Sequence, residues 1–230
     1  MSGTLDPTPR PREQRDTGDP HAGLPIRAMG PPLAEARAAM VMVHGRGASA
    51  ESILALSREL ESDDVAYLAP QAAGGTWYPY GFMSPIAINE PGITSALRSI
   101  TRTIGYITAA GIPHERTFLL GFSQGACLAT EYLARNARRY GGLAALSGGL
   151  IGPSETPRDY AGSLDGTPTF LGCSDVDGHI PAARVLESAT VLRRLGGEVT
   201  LRLYPGMGHL VNGDEIESIR TMLAVALRGE

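Results

Sequence analysis

Residues 121–125 read Gly-Phe-Ser-Gln-Gly, between an apolar run at 116–122 and a helical pattern at 124–140. A serine there stands on a sharp strand-to-helix turn, and the flanking glycines remove side chains that would collide. Ser123 is then presented above a sheet, at the positive end of the next helix. Its hydroxyl is a weak nucleophile and needs a neighbouring base. Of five histidines, His209 is placed best: it ends the segment 204–209, after the last apolar strand, where Gly206 and Gly208 let the loop bend. His179 is the second candidate. His21 falls in the N-terminal tail, and His114 precedes the strand that leads to Ser123. An acid must fix the imidazole tautomer and stabilise the imidazolium. Residues 169–181 offer Asp175 and Asp177, which spacing alone separates poorly. Asp177 is favoured because it is nearer the helix that begins near Pro181, and Asp175 suits a turn-shaping role. Such a set performs acyl transfer through a covalent acyl-serine.

Acyl transfer also needs donors for the developing oxyanion. One is the backbone N–H of Gln124, after the serine. The second is expected from Arg46 in His44-Gly45-Arg46-Gly47, where glycines let the backbone approach a carbonyl. The Arg46 side chain has two readings, recognition of an anionic substrate group or a solvated, helix-pairing role.

Alternating elements must hold these groups. Apolar runs at 38–45, 65–70, 116–122, 142–147, 167–172 and 198–204 read as strands. Helical spacing marks 49–62, 93–111, 124–140, 180–196 and 214–227. This alternation predicts an α/β fold, a mainly parallel sheet with helices on both faces. The functional residues are then expected at the carboxyl ends of the strands. Residues 1–22, rich in Pro, Arg and Asp, read as a flexible tail, and 23–230 as one domain.

Composition narrows the chemistry further. All 20 basic residues of the 230 are Arg, so no lysine Schiff base, Walker lysine or Ser-Lys dyad is available. The net charge of −4 speaks against a nucleic-acid partner. No His/Asp/Glu cluster has metal-ligand spacing, so no metal or cofactor is expected. The two cysteines, Cys127 and Cys173, read as buried small hydrophobes. No apolar run suits a signal peptide or a membrane span, and a cytoplasmic protein is expected.

His44 to Gly47, the elbow at 121–125, the Asp177-x-x-Ile-Pro segment and Gly208-His209 resemble the bacterial phospholipase/carboxylesterase family. These are α/β-hydrolases related to the acyl-protein thioesterases, and the resemblance covers roughly residues 38–228. It implies the nucleophile at Ser123, the acid at Asp177, the base at His209, and oxyanion donors at Arg46 and Gln124. Arg46 is a departure, since the thioesterases usually carry an apolar residue there.

The segment 76–83 gathers the only Trp, two Tyr and one Phe of a chain that is 6% aromatic. Trp77, Tyr78, Tyr80, Phe82 and Met83 are read as a substrate wall, the alternative being a satellite cluster under a long loop. Residues 148–166 are too short and Gly/Pro-rich for a large lid, so a minimal cap and an open site are expected. The predicted substrate is a small-molecule ester with a short to medium acyl group. The alternatives are lysophospholipase or thioesterase action on long chains, and a non-catalytic binding protein. The aromatic loop or the last helix could serve a homodimer.

Overall fold

The apolar runs form six parallel strands in the computed structural model, which describes residues 18–228. These are β2 (Ala38–Val43), β3 (Val65–Pro70), β4 (Thr117–Phe122), β5 (Gly142–Leu146), β6 (Pro168–Ser174) and β7 (Glu198–Tyr204). A seventh, β1 (Ile26–Met29), pairs antiparallel with β3 and gives the order β1-β3-β2-β4-β5-β6-β7. Periodicity does not reveal β1. It has four residues, its middle two exposed, so it carries neither an apolar run nor a clean alternation.

The helices are α1 (Ala50–Leu54), α2 (Gly92–Ala109), α3 (Gln124–Arg135), α4 (Ala182–Arg194) and α5 (Gly213–Arg228). Period-two alternation along β2 sorts them between two faces. Val41 and Val43 join Ile100, Leu128 and Leu192 of α2, α3 and α4. Met40 and Met42 join Ile53, Ile219 and Leu223 of α1 and α5. The helix expected over 49–62 is shorter: after α1 the chain tightens into a 3₁₀ turn, Ala55–Leu60, ended by the left-handed Glu61. The Ser57 hydroxyl donates to the Leu54 carbonyl inside that turn, a local bond that competes with the α-helical ladder. The helix expected over 124–140 stops at Arg135, where the Asn136 amide donates back to the Tyr132 carbonyl.

The tail expectation needs correction at its inner end. Residues 1–17 lie outside the described residues, but 18–22 belong to the fold. His21 is only 2% exposed. Its Nδ1 accepts from Ala73 N–H at 3.0 Å, so its Nε2 carries the proton and donates to the Trp77 carbonyl at 2.8 Å. Such long-range pairing is invisible to composition.

Residues 148–166 form no helical cap. They are held by the buried Arg184, which donates to the carbonyls of Leu150 and Gly152 at 2.8 and 2.6 Å. Among the described residues, no helix is long and apolar enough to cross a membrane.

Candidate active site

Chain order reverses at β2, which lies between β3 and β4. Such a switch point opens a crevice beyond the carboxyl ends of the strands. The loops after β2 and β4 meet there, and a Cβ built on Gly45 would lie 3.4 Å from that of Ser123.

Ser123 has φ 56° and ψ −120°, a conformation that L-residues avoid. The surroundings enforce it. A Cβ on Gly121 would fall 2.3 Å from the Gly125 carbonyl oxygen, and one on Gly125 would fall 2.0 Å from that of Val43. The Ser123 N–H donates to the Leu146 carbonyl of β5, tying the turn to the sheet.

The His209 ring reaches Ser123 Oγ with Nε2 at 2.9 Å and Asp177 Oδ2 with Nδ1 at 2.7 Å. A carboxylate only accepts, so Nδ1 carries the proton and Nε2 is free to accept from the serine hydroxyl. The Asp177 side chain is fully buried. Burial alone would raise its pKa. The bonds from His209 and from the N–H groups of His179 and Ile180 outweigh that and hold it below 3.8. Asp177 is therefore an anion at neutral pH, poised to stabilise an imidazolium.

Asp175 has a separate task. Its carboxylate accepts from the Gly206 N–H at 2.8 Å, and the Ser174 hydroxyl accepts from Gly208 N–H at 3.0 Å. These bonds fasten the His209 loop to the end of β6. His179 stands exposed at the mouth, its ring 4.8 Å from that of His209 and inclined at 61°. It touches the site without joining the serine.

The far side of the His209 loop is braced by α5. Asn212 and Glu215 exchange side-chain and backbone bonds of 2.9 Å across its first turn. Glu215 is fully buried, and its Oε1 has no partner among the described residues. Burial raises its pKa from 4.5 to about 7. The unfolded chain therefore releases this proton at lower pH than the folded one. Stability contributed here falls as pH rises through that window and is level above it, by about 3 kcal/mol at most. Glu215→Gln should gain melting temperature on the wild type between pH 5 and pH 8. Parallel melting curves at both pH values would refute the assignment.

On the opposite wall, Arg46 and Gln124 contribute amides that have no protein partner among the described residues. Their side chains have a task that local spacing does not reveal. Gln124 accepts from Trp77 N–H at 3.0 Å and donates to the Tyr78 carbonyl at 2.9 Å. Arg46 donates to the carbonyls of Pro79 and Tyr80 at 2.8 and 2.6 Å. The side chain is thus neither simply solvated nor paired to a helix; with Gln124 it clamps the aromatic loop.

That loop divides the residues expected as a substrate wall. Tyr78 and Phe82 line a pocket of about 380 Å³ with Ser123 and His209. Trp77, Tyr80 and Met83 do not line it. Trp77 is 1% exposed and donates its indole N–H to the His44 carbonyl at 2.8 Å. Tyr80 points to solvent, and Met83 packs against the core. His44 is also structural: its Nε2 accepts from Ala72 N–H, and burial lowers its pKa. A buried neutral imidazole and an indole thus support the loop that carries the Arg46 amide.

The sheet, the strained serine turn and the Ser-His-Asp chain define a serine hydrolase of the α/β-hydrolase class. The model of the family described as Phospholipase/Carboxylesterase matches residues 26–227. The chain belongs to that family, and it is a serine hydrolase of the carboxylesterase/phospholipase type. A crystal structure of a phospholipase/carboxylesterase from Dyadobacter fermentans is 42% identical, with TM-score 0.84, over 87% of this chain and 96% of that one. Acyl-protein thioesterase 1 of Saccharomyces cerevisiae is 27% identical over 84% of this chain and 94% of its own. Carboxylesterase SOBER1 of Arabidopsis thaliana is 24% identical over 84% and 92%.

Proposed function

We propose that the protein hydrolyses carboxylic esters of short to medium acyl length through an acyl-enzyme on Ser123. The carrying observation is the continuous chain Ser123–His209–Asp177, with links of 2.9 and 2.7 Å, opening into a pocket of about 380 Å³. His209 takes the serine proton as the oxygen attacks the carbonyl, then returns it to the leaving alcohol. The Arg46 and Gln124 amides hold the oxyanion, each worth about 3 kcal/mol in the transition state. Water, deprotonated by the same imidazole, releases the acid. The pocket volume lies near the lower end for ligand sites, which favours small acyl groups.

A series of p-nitrophenyl esters from acetate to palmitate tests the reading. The optimum in kcat/KM is expected at butyrate to octanoate. A steep climb to palmitate would overturn it in favour of long acyl chains. Thioester hydrolysis is the second reading, supported by the similarity to the yeast thioesterase. A thioester and oxoester pair of equal chain length separates the two.

A further inference from the structure

Resting on the hydrolase reading above, we propose that the site is built for esters carrying a carboxylate beside the scissile bond, with Arg46 as its recognition residue. The basic side chains that line the pocket are Arg46, His179 and His209; no Asp or Glu lines it. With histidine neutral the chain carries a net charge of −4, whereas the charge on the pocket lining is that of Arg46, so this wall departs in sign from the protein as a whole. Asp177 answers His209 from behind, through a direct bond of 2.7 Å, and is no part of the lining. Arg46 has no carboxylate in ion-pair range among the described residues, and its guanidinium bonds go to the neutral carbonyls of Pro79 and Tyr80.

Those bonds matter for recognition. They fix a long side chain in one orientation and so reduce the ordering cost of binding. They also occupy only two of the five N–H donors that a guanidinium carries. The remaining three include a pair able to meet a carboxylate. Since the Arg46 amide is one of the two groups offered to the oxyanion, its own side chain can reach a substituent only a few atoms from the reacting carbonyl. The His179 ring lies against that of His209 and lines the same pocket, which adds a further ring nitrogen to its wall. The guanidinium also lies 6.0 Å from the centroid of the Tyr78 ring, which helps to keep it over the pocket.

The anion could belong to the acyl or to the alcohol part, and two substrate pairs distinguish these. Monomethyl succinate against methyl butyrate places the carboxylate on the acyl side. O-butyryl glycolate against propyl butyrate places it on the alcohol side. Rates are followed by titration of the released acid. In one pair the charged ester should be preferred at least about tenfold in kcat/KM, chiefly through KM. Arg46→Met should bring that ratio to about threefold or below, and Arg46→Lys should retain part of it. Added salt should weaken the preference.

The readout is the ratio, because loss of the loop clamp in Arg46→Met lowers both rates together. A neutral preference in both pairs, or a ratio unchanged in Arg46→Met, overturns the proposal. Failure of the hydrolase reading looks different: no ester of either charge is turned over. Succinate and butyramide then serve as probes in thermal melts of Ser123→Ala. Stabilisation by succinate that vanishes on adding Arg46→Met sustains the anion site without catalysis. Equal effects of the two probes refute it.

Discussion

Ser123→Ala is expected to lower kcat on p-nitrophenyl butyrate by about 10⁶-fold. The variant loses the proposed attacking oxygen but keeps the pocket and the Arg46 and Gln124 amides proposed for the oxyanion. A residue of about 10³-fold over water should survive, because those amides still hold a tetrahedral intermediate formed by water attack. The fold should tolerate the change. Alanine fits the left-handed position of Ser123 as well as serine does, and the substitution removes a single side-chain hydrogen bond, the 2.9 Å link to His209. His209→Ala should cost nearly as much, and the double variant no more than either, since the pair acts as a unit. Steady-state rates and the melting temperature of each purified variant check this. More than about 1% of wild-type turnover in Ser123→Ala would mean that another group is the nucleophile.

Gly125→Ala carries the largest expected effect on stability. The added methyl would lie 2.0 Å from the Val43 carbonyl oxygen and 2.6 Å from that of His44. Both oxygens belong to backbone at the end of β2, in the centre of the sheet, and cannot swing aside. Relief requires α3 to move away from β2, which opens the core around Leu128 and Leu133. Overpacking of this kind costs about 3 kcal/mol or more, which is a fall of about 10 °C in melting temperature for a chain of this size. Because α3 starts at Gln124, the shift would also displace the elbow and the clamp on Tyr78. Activity should therefore fall further than the folded fraction does. A variant that melts within about 2 °C of wild type, under the same scaling, would show that the helix has room that the structure does not display. Gly105→Ala, with nothing within 4 Å of its added methyl, is the control.

The candidate site is legible in the sequence to an unequal degree. Ser123 is readable because its requirement is local: a strand, two glycines and a helix fall within a few residues. The His209–Asp177 pairing is partly readable, since strand order confines the base and acid to loops at one end of a parallel sheet. Asp175 and Asp177 are hard to separate by spacing, because both follow β6. What divides them is direction: the Asp177 carboxylate faces the His209 ring and the Asp175 carboxylate faces Gly206. The aromatic loop misleads for a related reason. Composition marks a concentration of rings, but Trp77 turns inward beneath His44 while Tyr78 and Phe82 face the pocket. His21 gives no local signal at all, because its partners lie 52 and 56 residues away.

The α/β class, the mainly parallel sheet and the serine elbow are readable from the residues alone, because they follow from short-range periodicity and backbone sterics. Which carboxylate meets the histidine, which aromatics line the pocket, and the clamp of Arg46 and Gln124 on the adjoining loop emerge from the folded chain alone. Those outcomes depend on side-chain direction and on contacts across tens of residues, and neither is encoded in local spacing.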